Sequence, residues 1–508
     1  MSAMIAIEMV RNFGDVNRSL IANGYSSILR ISLTSLIVKK SSCYLSKNRY
    51  YYSMEEKFED IVSAPSIVLE RSVDLTRKLG ESAATVSQYK KAKGYWTNLG
   101  PGLVTGAADD DPSGIATYSQ QGAQTGFQLL WLALFTFPLM AIVQEMCARI
   151  GLATGRGLAG NIRIHYPRWV MYMSAALLFV ANTFNIGADL GAMAKGVELF
   201  APQFNFVMLL IFFTFFMLLI QIYTPYERYA RYLKWLVLVL FSYVATGLIV
   251  GIDPKQLLFH AVIPSITFSK NQVILITAIL GTTISPYLFF WQTSHEVEEE
   301  ILHGKTSLRL RQEAVTNKEI KNMRIDVWSG MFVSNLVMFF IVATCAAVLY
   351  SHGITNIATA ADAALALKPL AGNQAFLLFG IGIIGTGLLA VPVLAGSAAY
   401  TVAESFHWKQ GLYRKLKEAR AFYGVIILSM IIGLVLNFIG IDPIRMLIYS
   451  AVVNGLVAPV ILVPIVQMTS NRKIMKERTS SSLNSALGWL VVFFMVASGV
   501  VTIYSLFL

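Results

Sequence analysis

Residues 100–126 read GPGLVTGAADDDPSGIATYSQQGAQTG, and the fold class follows from how such a stretch can lie in a bilayer. Its flanks are apolar or small, as in a membrane-crossing segment, yet Asp109, Asp110 and Asp111 stand side by side within it. On insertion scales one ionised Asp near the bilayer centre costs roughly 2.5–3.5 kcal/mol, so three cost of the order of 8–10 kcal/mol. Their neighbours must be protein, water or a cation. Pro112, Ser113 and Gly114 follow at once. Proline has no N–H and its ring clashes with the preceding turn, so the helix breaks here. Unwound backbone at membrane depth is tolerated where it lines a cavity in the protein. A carboxylate beside such a break is how a transporter exposes backbone carbonyls to an ion.

The rest of the chain fits that reading. It has 508 residues, of which 55% are hydrophobic and only 14% charged, with a mean hydropathy of +0.58. Soluble chains carry about 25% charged residues, so this is a polytopic membrane protein. The net charge of +12 collects in short loops between apolar segments, as the positive-inside rule requires, and no nucleic-acid motif interrupts the spans. Cys43, Cys147 and Cys345 fit neither a zinc site nor a disulfide framework; the last two read as small core residues.

Eleven spans are expected, near 99–124, 127–150, 168–194, 205–223, 230–251, 270–293, 326–350, 374–401, 421–439, 443–467 and 485–507. Every second connection is basic. Arg156 and Arg163 follow span two, Arg228, Arg231 and Lys234 follow span four, and 295–325, 402–421 and 469–484 are rich in Lys and Arg. This pattern puts the N-terminus in the cytoplasm and the C-terminus outside. Span six carries a second interruption, Gly281-Thr282-Thr283-Ile284-Ser285-Pro286. Two broken helices five spans apart suggest a 5+5 inverted repeat with a binding site at the midplane between the breaks. Residues 1–53 are basic and read as a targeting segment or as an extension upstream of a start at Met54. Residues 54–98 read as a charged cytoplasmic leader, and 99–508 as the transmembrane domain.

The chemistry gathers at the two breaks. Asp111 ends the first half-helix, and the carbonyls before Pro112 lose their usual donors. One carboxylate with free carbonyls is a hard-oxygen site suited to Mg²⁺, Ca²⁺ or Mn²⁺, and Ala108, one turn earlier, can add its carbonyl. Asp109 and Asp110 are rotated away by about 100° per residue and are expected to line a vestibule or pair with a base. Thr282 and Ser285 share a face of the second half-helix, although membrane hydroxyls also bond back to a carbonyl one turn earlier. In span three, Asn182, Asn185 and Asp189 form a polar stripe that can face span one, and Asn454 of span ten can reach the centre; hydrogen bonds between helices account for both equally well. The acidic run after span six, His295 to Glu300, is a cation-attracting mouth or a solvated helix end.

The opening stretch, followed by LLWLALFTFPLMAIVQEMCARIGLATG at 129–155, resembles spans one and two of the NRAMP divalent-metal transporters, and the likeness runs over about 400 residues to span eleven. It implies an all-helical, LeuT-like fold, the inverted repeat also seen in sodium-coupled amino-acid transporters. The family carries Asp-Pro-Gly-Asn in span one and Ala-x-x-Met-Pro-His in span six. The resemblance makes Asp111 the principal ligand and Ala108 a carbonyl ligand. It also sets out departures: Gly114 stands for the Asn, Thr282 for the Ala, Ser285 for the Met and Tyr287 for the His. In span three Asp189 is kept, but Ala192 stands where the family has Glu. A thioether favours softer metals, so its loss leaves a harder, larger site. Tyr287 and Ala192 do not titrate near neutrality.

This set of departures resembles the NRAMP-related magnesium transporter branch. The expected function is Mg²⁺ (and Mn²⁺) uptake by alternating access, uncoupled from protons. The alternative is the proton-coupled Mn²⁺/Fe²⁺ symport of the wider family, with Asp109, Asp110 or Asp189 carrying the proton. A membrane-embedded Mg²⁺-diphosphate enzyme needs a second acidic motif across the site, and no span holds one. The cell membrane is the expected location. The bilayer and the transported ion are the expected partners, with no separate cofactor and no obligate protein partner.

Overall fold

In the computed structural model of the chain, residues 99–507 are described, apart from 225, 268, 356, 358, 359 and 440–442. The expected leader regions, 1–53 and 54–98, lie outside the described residues. All regular structure among the described residues is helical. Span one is two helices, α1 (Pro101–Asp109) and α2 (Pro112–Thr125). They are followed by α3 (Trp131–Thr154), α4 (Leu158–His165), α5 (Arg168–Phe200), α6 (Phe206–Tyr223), α7 (Tyr226–Val250) and the short α8 (Pro254–Val262). Span six is again two helices, α9 (Lys270–Thr283) and α10 (Pro286–Leu302). Then come α11 (Leu308–Glu313), α12 (Asn317–Val348), α13 (Ala360–Ser405), α14 (Arg420–Leu436), α15 (Pro443–Ser470), α16 (Arg472–Met475) and α17 (Ser482–Phe507). Gly372, at φ 87°, kinks α13 near its start.

Nine segments among the described residues, with the α9–α10 pair counted as one, are long and apolar enough to cross a membrane. The other two of the eleven expected spans are the α1–α2 pair, whose halves are too short singly, and α14, at 17 residues.

The two breaks have the same local form. At the first, Asp110 sits at φ −85°, ψ 54° and Asp111 is extended before Pro112. At the second, Ile284 sits at φ −116°, ψ 59° and Ser285 is extended before Pro286. Proline at the first helical position costs no hydrogen bond and presets φ, so each break ends one half-helix and starts the next. The packing repeats as well. Span seven, α12, lies backbone-to-backbone on span one, and span two, α3, lies equally close on span six. A Cβ on Gly106 would stand 2.2 Å from the Gly330 carbonyl carbon, and one on Gly151 would stand 2.5 Å from the Thr293 oxygen. Small residues let membrane helices approach in this way.

The α1 half-helix begins under a distant carboxylate. Asp326, on α12, accepts from the amides of Gly100, Gly102 and Leu103 at 2.8, 2.7 and 3.0 Å. This satisfies donors that a helix start leaves open and places negative charge at the positive end of the half-helix dipole. At the same end of the bundle, Glu145 of α3 accepts from Arg149, Arg324 and the Trp328 indole, tying α3 to α12. The basic connections gather here too: Arg156, Arg311 and Lys409 line one cavity, and Arg231, Lys305 and Lys318 line another. The uncharged connections meet at the other end, where the Ser265 hydroxyl donates to the Gln128 carbonyl.

Candidate metal-binding site at the two helix breaks

Asp111 caps α2. Its Oδ1 accepts from the Gly114 amide at 2.6 Å, and its Oδ2 accepts from the Asn185 side-chain amide of α5 at 2.7 Å. The other end of that amide, Asn185 Oδ1, accepts a short hydrogen bond from the Ser450 hydroxyl of α15. Ser113 donates to the Leu447 carbonyl on the same helix, at 3.1 Å. The unwound turn is thus held by α5 on one side and α15 on the other, and Asp111 is 2% exposed.

Gly114 lets the backbone and side chains of both broken spans approach closely at the centre of this turn. The point where its Cβ would stand lies 3.0 Å from Thr282 Oγ1, 3.3 Å from the Asp109 carbonyl oxygen and 3.4 Å from Asp111 Oδ1. A hydroxyl, a carbonyl and a carboxylate therefore converge from both broken spans on a volume the size of a side-chain atom. This is a hard-oxygen set of the kind Mg²⁺ and Mn²⁺ accept. Among the described residues no three His, Cys, Asp or Glu side chains come together as a metal cluster, so the backbone and a hydroxyl supply what carboxylates do not.

The remaining expected residues are placed as follows. The Ala108 carbonyl accepts from the Tyr287 hydroxyl at 2.7 Å. Carbonyl oxygens have two lone pairs, so that bond leaves one free. The Ser285 hydroxyl turns back on its own half-helix, to the Gly281 and Thr282 carbonyls at 2.9 and 2.8 Å. Asp109 points toward α12, where Ser334 donates to Oδ2 at 3.1 Å while Oδ1 has no partner. Asp110 and Asp189 are fully buried with no hydrogen bond at any carboxylate oxygen. Asp189 lies against the Ser113 backbone and within electrostatic reach of Asp111. Asn454 is buried on α15 with its Oδ1 unpartnered. Asn182 turns to the Leu394 carbonyl and the Ser397 hydroxyl of α13 and stands apart from the site.

Four participants escaped the sequence reading. Ser450 sits one turn before Asn454 on α15, and that i, i+4 pair of polar residues in an apolar span was the available signal. Tyr118 is fully buried with its hydroxyl unpartnered, beside Thr282. Ser334 and Asp326, about two turns apart on α12, carried no recognisable signal in the sequence, since each acts on span one across more than 220 residues.

Comparison with known proteins agrees with this architecture. The sequence model of the family described as natural resistance-associated macrophage protein-like, Nramp, matches residues 102–505. Among solved structures, the manganese transporter of Eremococcus coleocola bound to an aromatic bis-isothiourea compound superposes with a TM-score of 0.64. It is 16% identical, with 84% of this chain and 88% of that one covered. A single-substitution mutant of the same transporter gives 0.63 at 16% identity, covering 81% and 87%. At such identities the structures speak for the fold.

Proposed function

Because the chain belongs to the Nramp family, whose members are divalent-metal transporters and not enzymes, we propose that it carries Mg²⁺, and Mn²⁺ beside it, across the cell membrane by alternating access without proton coupling. The observation that carries the reading is the oxygen trio of Asp111, Thr282 and the Asp109 carbonyl that converges at Gly114. The three atoms nearest that position are all oxygens, and hard oxygen ligands suit Mg²⁺ and Mn²⁺. The residues at the positions linked to protons in the family are Tyr287, which is engaged by the Ala108 carbonyl, and Ala192. The membrane potential supplies about 4.6 kcal/mol for a divalent ion at 100 mV, enough to drive uptake. In this reading the basic end of the bundle faces the cytoplasm, with the N-terminus there and the C-terminus outside.

The test is metal entry into proteoliposomes that hold a Mg²⁺-sensitive dye and, in parallel, a pH dye. Saturable Mg²⁺ entry that accelerates with an inside-negative potential, with no acidification of the lumen, is the expected result. Acidification that tracks metal entry would instead favour proton-coupled Mn²⁺/Fe²⁺ symport. That reading draws on Asp110 and Asp189, two buried carboxylates without partners, of the kind that carry protons through membranes.

The close approach at Gly114 gives a selectivity prediction. In Gly114→Asn the new side chain must enter among three oxygens 3.0–3.4 Å from its Cβ. It crowds those oxygens and adds one amide oxygen. The ratio of Mg²⁺ to Mn²⁺ initial rates is expected to fall about tenfold, or about 1.4 kcal/mol. An unchanged ratio would mean that the ion does not sit among these oxygens.

A further inference from the structure

A second site lies away from the metal path, at the basic end of the bundle. A cavity of about 400 Å³ is lined there by Arg156, Arg163, Arg311, Lys409 and Arg414, with the Trp408 ring at its edge. Two carboxylates also border it, and both are committed to the walls. Glu298 accepts from the Tyr400 hydroxyl and from the amides of Leu412 and Tyr413 at 2.5, 2.9 and 3.3 Å. Glu404 accepts from the Gly160 amide and the Gln410 side chain, each at 2.8 Å. Arg311 is likewise held, by the carbonyls of Gly155, Lys305 and Thr306, and Arg414 bonds the Gln410 carbonyl. The guanidinium groups of Arg156 and Arg163, both half-buried, have no hydrogen-bond partner among the described residues. Five basic side chains against two acids leave a positive excess in a cavity of small-ligand size; Arg163 lies within electrostatic reach of Glu404, and neither its fork nor that of Arg156 makes a hydrogen bond among the described residues. Such forks match phosphate bidentately.

What surrounds the cavity selects the source of the phosphate. Trp408 stacks on Phe406 with ring centres 5.1 Å apart, and Phe406 meets Tyr172 at 5.7 Å. These three rings and Trp169 are all exposed, at the ends of spans three and eight. Exposed Trp and Tyr at span ends mark the level of the lipid headgroups, and basic pockets between helices at that level hold anionic headgroups. We infer that this cavity binds the phosphate headgroup of an anionic phospholipid, with Arg156 and Arg163 on the phosphate and the aromatic group beside the lipid glycerol.

The test uses the full-length protein in a non-ionic detergent. It is titrated with tail-labelled phosphatidylglycerol and, separately, with phosphatidylcholine carrying the same tails. Phosphatidylglycerol is expected to bind at least about tenfold more tightly. The R156Q/R163Q double variant is expected to weaken it about thirtyfold, from the contribution of each basic group near an anionic lipid. Lys417→Gln, exposed at the same end and outside the cavity lining, is expected to leave binding unchanged. Equal affinity for the two lipids would overturn the assignment, as would undiminished binding by a folded double variant. Complete displacement of the lipid by millimolar inorganic phosphate would make this a free-anion site and overturn the lipid assignment in particular. Should the double variant fail to fold, the comparison of the two lipids on the unaltered protein still decides the matter.

Discussion

Asp111→Asn lowers Mg²⁺ and Mn²⁺ uptake by more than about a hundredfold and leaves a folded, membrane-inserted protein. The side chain has two tasks, and this substitution separates them. As a cap, Oδ1 accepts the Gly114 amide at 2.6 Å, and an Asn oxygen does the same, being as good an N-cap as Asp. As a ligand, the carboxylate is the only ionised group among the three oxygens around Gly114, and Asn removes that charge. Loss of a partner merely hydrogen-bonded to a metal ligand costs 10–100-fold, so loss of the charged ligand itself sets the larger figure. Asp111→Ala is the harsher comparison, because it also removes the cap, worth about 1 kcal/mol; either substitution leaves the Asn185 amide without its acceptor. Uptake is read with the trapped Mg²⁺ dye, and folding by gel filtration and helical circular dichroism. Saturable Mg²⁺ entry through the Asn variant at near the wild-type rate would place the ion elsewhere.

Gly330→Val is expected to abolish the folded protein. A Cβ at 330 would stand 2.1 Å from the Gly102 oxygen and 2.9 Å from the Leu103 Cα, both backbone atoms. A flexible side chain could yield at such distances, but a helix backbone can yield only by moving as a whole. Overpacking in cores costs about 1–3 kcal/mol where side chains can adjust, and here they cannot. Displacing α1 from α12 also draws the Asp326 carboxylate off the amides of Gly100, Gly102 and Leu103. Ser334, one turn along α12, then loses Asp109. The expected result is aggregate rather than a monodisperse peak in fluorescence-detected gel filtration, or a midpoint lower by at least about 10 °C. Gly424→Val is the control, since a Cβ there meets nothing within 4 Å. A Gly330→Val protein as stable as the control would show that the α1–α12 contact is not what seats span one.

Much of the fold was legible in the sequence because bilayer physics is severe and local. Twenty apolar residues make a span, and a proline after three acids makes a break. Hence the helical, multi-span fold and the two breaks could be read, including their likeness. The polar stripe of span three was legible as well, and Asn185 on it does reach Asp111.

The direction of individual atoms was not legible. Thr282 and Ser285 have the same chemistry and share one face, yet the first presents its hydroxyl near Gly114 while the second returns it to Gly281 and Thr282. The Ala108 and Asp109 carbonyls are one residue apart, yet it is the Asp109 oxygen that lies 3.3 Å from the Gly114 Cβ position, while the Ala108 oxygen accepts from Tyr287. Neither difference has a periodicity or a composition to betray it.

Residue identity along the chain thus determined that this protein is an all-helical, multi-span membrane protein that breaks two helices and buries acids at the first break, because each of those outcomes is forced by the cost of exposing charge or unpaired backbone to lipid. The meeting of residues 111, 185, 282 and 450, and the capping of span one by Asp326, were decided by tertiary structure alone. They depend on how close and at what register the helices cross, and glycine contacts such as Gly106 on Gly330 set that closeness between segments more than 200 residues apart.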